Sequence, residues 1–129
     1  MVKSYIAKKG NVEIFLRELR QILDTPKSTL NIIPREDKPL KYSTEYCLRD
    51  LKFTEKDVRE ELKNLNIKQY VECCPDERNP KSADYYVFSK RYQENQVYIK
   101  LKIQSYNNKI ILCMSFHYAE YELNSFPYK

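Results

Sequence analysis

Apolar side chains recur at helical spacing early in the chain and alternate with polar ones late in it. Val12, Phe15, Leu16, Leu19, Ile22 and Leu23 fall on one face of a helix over residues 11–23. Asn11 is the expected N-cap, and Pro26 ends the helix because proline disfavours helical backbone in the residue before it. A β-branched run at 29–33 predicts an edge strand, and 34–41, with two prolines, predicts a polar loop. A short helix is expected at 44–51 and a second at 54–65. In the latter Thr54 and Asp57 form a partial capping box and Val58, Leu62 and Leu65 share a face.

After Asn66 the period changes to two. Strands are expected at 67–74, 83–91, 96–105 and 109–118, with a charged loop at 75–82. Helices first and a strand meander last predict an α+β fold. N-terminal helices pack on one face of a C-terminal antiparallel sheet, in one domain over residues 1–129.

The last two strands alternate most regularly. Val97, Ile99, Leu101 and Ile103 point one way; Tyr98, Lys100 and Lys102 point the other. In the final strand Ile110, Leu112, Met114 and Phe116 share a face, opposite Ile111, Cys113, Ser115 and His117. Asn107-Asn108 is a suitable two-residue turn, since asparagine tolerates positive φ. That turn pairs Ile103 with Leu112, Leu101 with Met114 and Ile99 with Phe116 on the core face. On the other face it pairs Lys100 with Ser115 and Tyr98 with His117.

Composition narrows the function classes. The 129 residues include 23 basic and 18 acidic ones, for a net charge of +5, which permits an anionic partner without requiring one. The single glycine, Gly10, excludes glycine-rich phosphate loops and with them nucleotide-driven and dinucleotide-dependent enzymes, so no nucleotide cofactor is expected. No stretch approaches the ~18 apolar residues of a membrane span. Residues 1–10 lack the pattern of a secretory signal. Cys47, Cys73, Cys74 and Cys113 form no C-x-x-C pair, which fits a reducing cytoplasm. Cys113 and His117, on one face, are too few for a zinc site, and no metal is expected.

The chain's one histidine, beside a tyrosine and near a lysine on a face the core does not use, suits metal-free RNA cleavage. His117 can serve as acid or base near neutral pH. Lys100 can stabilise charge developing on phosphorus, and Tyr98 can assist by hydrogen bonding or stacking. Tyr86, Phe88 and Lys90 alternate on one face of the preceding strand and, with Lys102, extend the expected RNA platform.

These residues resemble a known family. The segments QVYIKLKI (96–103), ILCMSFHYAE (111–120), YVFSK (86–90) and FPY (126–128), with the helical stretch from Tyr46, are similar to the C-terminal half of MqsR-type toxins of toxin–antitoxin systems. The resemblance covers roughly residues 44–128. It implies a RelE-like fold, a sequence-selective, metal-independent endoribonuclease acting on messenger RNA, and a co-encoded antitoxin protein as partner. Within it Tyr98 matches the tyrosine of the Q-V-Y motif. His117 stands where the best-known members carry lysine, Val87 falls where they have a proposed glutamine, and Glu120 is placed to orient His117. Two other readings use the same face: an RNA-binding module that does not cut, and a protein-interaction domain that captures a partner on its sheet edge or face.

Overall fold

The computed structural model describes residues 3–33, 39–105 and 108–129. Helix α1 spans Lys9–Asp24, and all six residues of its expected apolar face are buried. At ~1.5–3 kcal/mol for each large aliphatic or aromatic side chain removed from water, this stripe is a principal source of stability. The helix starts three residues earlier than the cap signal indicates. Lys8 occupies the N-cap without a side-chain bond, and its carbonyl oxygen accepts from the amides of Asn11 and Val12 at 2.9 and 3.1 Å. Asn11 is therefore a helical residue rather than the cap.

Strand β1 (Thr29–Ile32) follows. A 3₁₀ turn at Leu40–Tyr42 ends at Ser43, which caps α2 (Thr44–Leu51) by accepting from the Tyr46 amide. The rest of the expected 34–41 loop lies partly outside the described residues. Helix α3 spans Glu55–Lys63 and carries the capping box in full: Thr54 accepts from the Asp57 amide and Asp57 from the Thr54 amide. Of the expected strand over 67–74, Ile67–Gln69 form a second 3₁₀ turn, capped by Asn66, and only Tyr70–Cys74 form β2. Strands β3 (Tyr85–Tyr92), β4 (Asn95–Ser105) and β5 (Lys109–Tyr118) form the meander.

The fold is α+β: among the described residues, three helices and one five-stranded sheet in the order β1-β5-β4-β3-β2. The sheet is mixed rather than antiparallel, because β1 runs parallel to β5. Helices α2 and α3 lie between those strands in the chain, and a connection of that length allows a parallel pair.

The β4–β5 register is regular from Val97 opposite Tyr118 to Lys100 opposite Ser115, then shifts by one residue. Leu101 faces Cys113 and Ile103 faces Ile111, so Met114 is the extra residue of a β-bulge. The bulge turns Ile111 and Cys113, both with no exposed surface, to the helix side and leaves Ile110, Leu112 and Met114 half-buried. This corrects the expected core face of β5, on which only Phe116 keeps its place. Cys113 and His117 consequently lie on opposite faces. The expected Asn107-Asn108 turn falls partly outside the described residues.

Residues of all three helices and all five strands join one apolar cluster between the helix layer and the sheet. Phe15 of α1 stacks on Tyr86 at 3.9 Å between ring centres, and Phe53, after α2, meets Phe116 edge-on at 6.2 Å. Among the described residues, no helix is long and apolar enough to cross a membrane.

Candidate functional site

The face of the sheet away from the helices carries Glu72 and Cys74 of β2, Tyr85, Val87 and Ser89 of β3, Tyr98, Lys100 and Lys102 of β4, and Ser115 and His117 of β5. At its centre Tyr98 stands directly opposite His117. The two rings stack at 5.3 Å with an interplanar angle of 19°. Cross-strand neighbours at this separation are the natural contact pairs of an antiparallel ladder. His117 is 4% exposed. Its Nδ1 lies 2.9 Å from the Tyr118 carbonyl oxygen, which can only accept, so Nδ1 carries the proton and the lone pair of the neutral ring is on Nε2.

Lys100 is the next residue of β4 on this face, opposite Ser115 and beside Val87. Its ammonium sits 5.0 Å over the Tyr85 ring. Burial pushes the Cys74 thiol up to about 11, and the charge of Lys100 acts in the opposite direction, which places that charge near the β2 edge as well.

Lys102 does not belong to an open platform. It has no exposed surface, and its ammonium donates to Asp76 at 2.6 Å, Ser82 Oγ at 2.9 Å and the Ala83 carbonyl at 3.4 Å. The Tyr85 ring lies 4.6 Å away. The bond from Lys102 in turn holds the Asp76 carboxyl below its usual range. Lys102 is thus the anchor of the 75–84 segment, and the expectation that it binds RNA is corrected by its burial.

Tyr86, Phe88 and Lys90 are likewise displaced from the platform. They pair with Leu101, Ile99 and Val97 and so project to the helix side. Tyr86 lies under Phe15, Phe88 is fully buried, and Lys90 reaches Glu61 of α3 at 3.2 Å. The β3–β4 hairpin sets this placement. Its loop is Gln93-Glu94, with Tyr92 opposite Asn95 and Gln93 at φ 60°. A two-residue turn with positive φ normally advertises itself by asparagine or glycine; here neither is present, and the register of β3 is invisible in the chain. The residues of β3 beside Tyr98 and Lys100 are instead Ser89 and Val87.

No family model, curated protein or solved structure matches this chain. The site therefore rests on its own geometry.

Two segments border this face of the sheet. The 75–84 segment is held by Lys102. The C-terminal segment is held by Gln96, whose amide nitrogen donates to the Leu123 carbonyl at 2.9 Å and whose oxygen accepts from the Leu123 amide at 2.7 Å. An Arg91–Glu122 ion pair adds to this. Among the described residues no group of three or more histidine, cysteine, aspartate or glutamate side chains is arranged to hold a metal ion. The arrangement thus combines one imidazole with a defined tautomer, one phenol stacked on it and one ammonium a single strand position away. Chemically it sets an imidazole and a phenol on the same face as a fixed positive charge.

Proposed function

We propose that this chain is a toxin-type endoribonuclease that cuts single-stranded messenger RNA without a metal ion. The observation that carries the reading is the Tyr98–His117 stack on the face away from the helices, with Lys100 two residues on, the next position of β4 on that face. In the reaction Nε2 of His117 takes the proton of a ribose 2′-hydroxyl. The 2′-oxygen attacks phosphorus, the bond from phosphorus to the 5′-oxygen breaks, and the departing 5′-oxygen takes a proton from solvent water. The products are a 2′,3′-cyclic phosphate and a 5′-hydroxyl. Lys100 offsets charge on the pentacoordinate phosphorus, and Tyr98 orients the imidazole and stacks with a base.

A helix layer on one side of the sheet and chemistry on the other accord with the RelE-like arrangement expected from the MqsR-type segments. In that reading a cognate antitoxin protein silences the toxin, and the work is done in the cytoplasm. The test is cleavage of a long single-stranded RNA in excess EDTA, by wild type and His117→Ala. Cutting at discrete sites by the wild type and none by the variant supports the proposal. Equal cutting by both removes His117 from the chemistry.

One observation favours a second reading, binding of RNA without cleavage: His117 is only 4% exposed, whereas a general base must meet its proton at hydrogen-bond distance. Salt-sensitive RNA binding with no products, with or without ribosomes, selects that reading.

A further inference from the structure

A groove of about 560 Å³ lies beside the Tyr98–His117 pair, between the β3–β4 strands, the turn after α3 and the C-terminal segment. Its cationic walls are Lys68, Lys90, Arg91 and Lys129, with Glu122 the carboxylate and Phe126 the aromatic ring among its lining residues. The groove neighbours the candidate centre along the strands: Ser89, which lines it, is the cross-strand neighbour of Tyr98, and Gln96, also lining it, is the preceding residue of β4 on that face.

The four cations differ in what they already neutralise. Lys90 is paired with Glu61 and Arg91 with Glu122. Lys68 and Lys129 are exposed, and among the described residues neither forms an ion pair. The Lys129 ammonium stands 6.0 Å from the Phe126 ring centre, placing a cation and a stacking surface side by side. Positive charge along a groove, aromatic faces at intervals and amide side chains between them are the features that hold single-stranded nucleic acid.

We propose that this groove is the track for the strand flanking the cut, gripping its phosphates with Lys68 and Lys129 and seating a base on Phe126. The inference rests on the RNA reading above but not on cleavage. An acidic polypeptide is the competing occupant. The Phe126 ring in the groove beside the Lys129 ammonium favours the nucleic acid, because bases offer faces to stack and acidic side chains do not.

The test is direct binding of a fluorescent 2′-O-methyl oligoribonucleotide, which lacks the nucleophilic hydroxyl, across a salt series. Wild type, K68Q/K129Q and a control K9Q/K56Q are compared, the last making the same change of net charge on exposed helix positions. K68Q/K129Q is expected to bind at least about tenfold more weakly at low salt. Its log–log salt dependence should flatten by roughly 1.4, because each phosphate contact to a single strand contributes about 0.7. Unchanged thermal melting excludes misfolding. Equal losses in both double variants reduce the effect to net charge and overturn the proposal. So does a polyaspartate that binds as tightly with the same dependence on Lys68 and Lys129. Wild type that cuts RNA while K68Q/K129Q binds normally overturns the track and leaves the ribonuclease reading standing. Lysine-dependent binding with no cutting does the reverse.

Discussion

Lys102 and Asp76 behave as a buried pair whose partners cannot be removed separately. The ammonium has no exposed surface and the Asp76 side chain only 13%. Asp76→Asn leaves that ammonium without its counter-charge and is expected to cost about 3 kcal/mol. Lys102→Met removes the charge that needed satisfying and should cost clearly less, since Asp76 still accepts from the amides of Arg78 and Asn79 at 3.0 and 3.2 Å. Urea denaturation of both variants checks the order. The pH dependence follows from the lowered Asp76 carboxyl. Its contribution to stability is complete above the ordinary value of 3.8 and is lost as pH falls through the lower folded value. Lys102→Met should flatten the acid limb of the stability curve. The thiols give a second residue-scale prediction. Burial raises Cys47 and Cys113 to about 12, and Cys74 to about 11. Since the thiolate is the nucleophile, the folded protein at pH 8 should resist iodoacetamide, with slow labelling confined to half-buried Cys74. Labelling of all four cysteines should follow in denaturant.

Between elements, two arginines exchange roles across the helix layer. Arg20 of α1 donates to the carbonyls of Leu65 and Lys63 at 2.9 and 3.4 Å, just past and at the end of α3. Arg59 of α3 donates to the Ser28 carbonyl at 2.9 Å, Ser28 Oγ at 2.7 Å and the Leu23 carbonyl at 3.4 Å, at the end of α1. Each helix thus places a cation at its neighbour's C-terminal end, where the helix dipole favours one. Arg59→Met is expected to cost about 2 kcal/mol, the scale of hydrogen bonds from a charged donor. Arg59→Lys should recover little, because one ammonium cannot reproduce the fork. Denaturant midpoints measure both. The Thr54/Asp57 capping box is a separable contribution: Thr54→Ala should cost ~1 kcal/mol with no effect at the Tyr98–His117 face.

At the scale of the whole molecule, the C-terminal segment straps the sheet to the start of the chain. Tyr128 stacks on Tyr70 at 5.9 Å, and its hydroxyl donates to the Ala7 carbonyl at 2.5 Å. The Ala7 amide in turn donates to the Tyr70 hydroxyl at 2.9 Å. Tyr128→Ala is expected to lower stability by about 2 kcal/mol and the melting temperature by roughly 8 °C, while Tyr128→Phe should lose about half as much. The strap also forms one wall of the basic groove, so Tyr128→Ala should weaken oligoribonucleotide binding, and Tyr128→Phe should leave it near wild type.

What the chain determined alone was local. The six-residue stripe of α1, the capping box of α3 and the alternation of β4 depend on residues a few positions apart, and the pairs Tyr98–His117 and Lys100–Ser115 were legible because a single hairpin relates them. Tertiary structure decided whatever depends on where the strands come to lie. The Met114 bulge moved Ile111 and Cys113 to the core, because a one-residue shift exchanges the two faces of a strand. The unadvertised Gln93-Glu94 turn sent Tyr86, Phe88 and Lys90 to the helix side. Lys102 was buried by Asp76, a partner 26 positions away. The parallel seat of β1 on β5 was decided in the same way, by the packing of helices that separate the two strands in the chain.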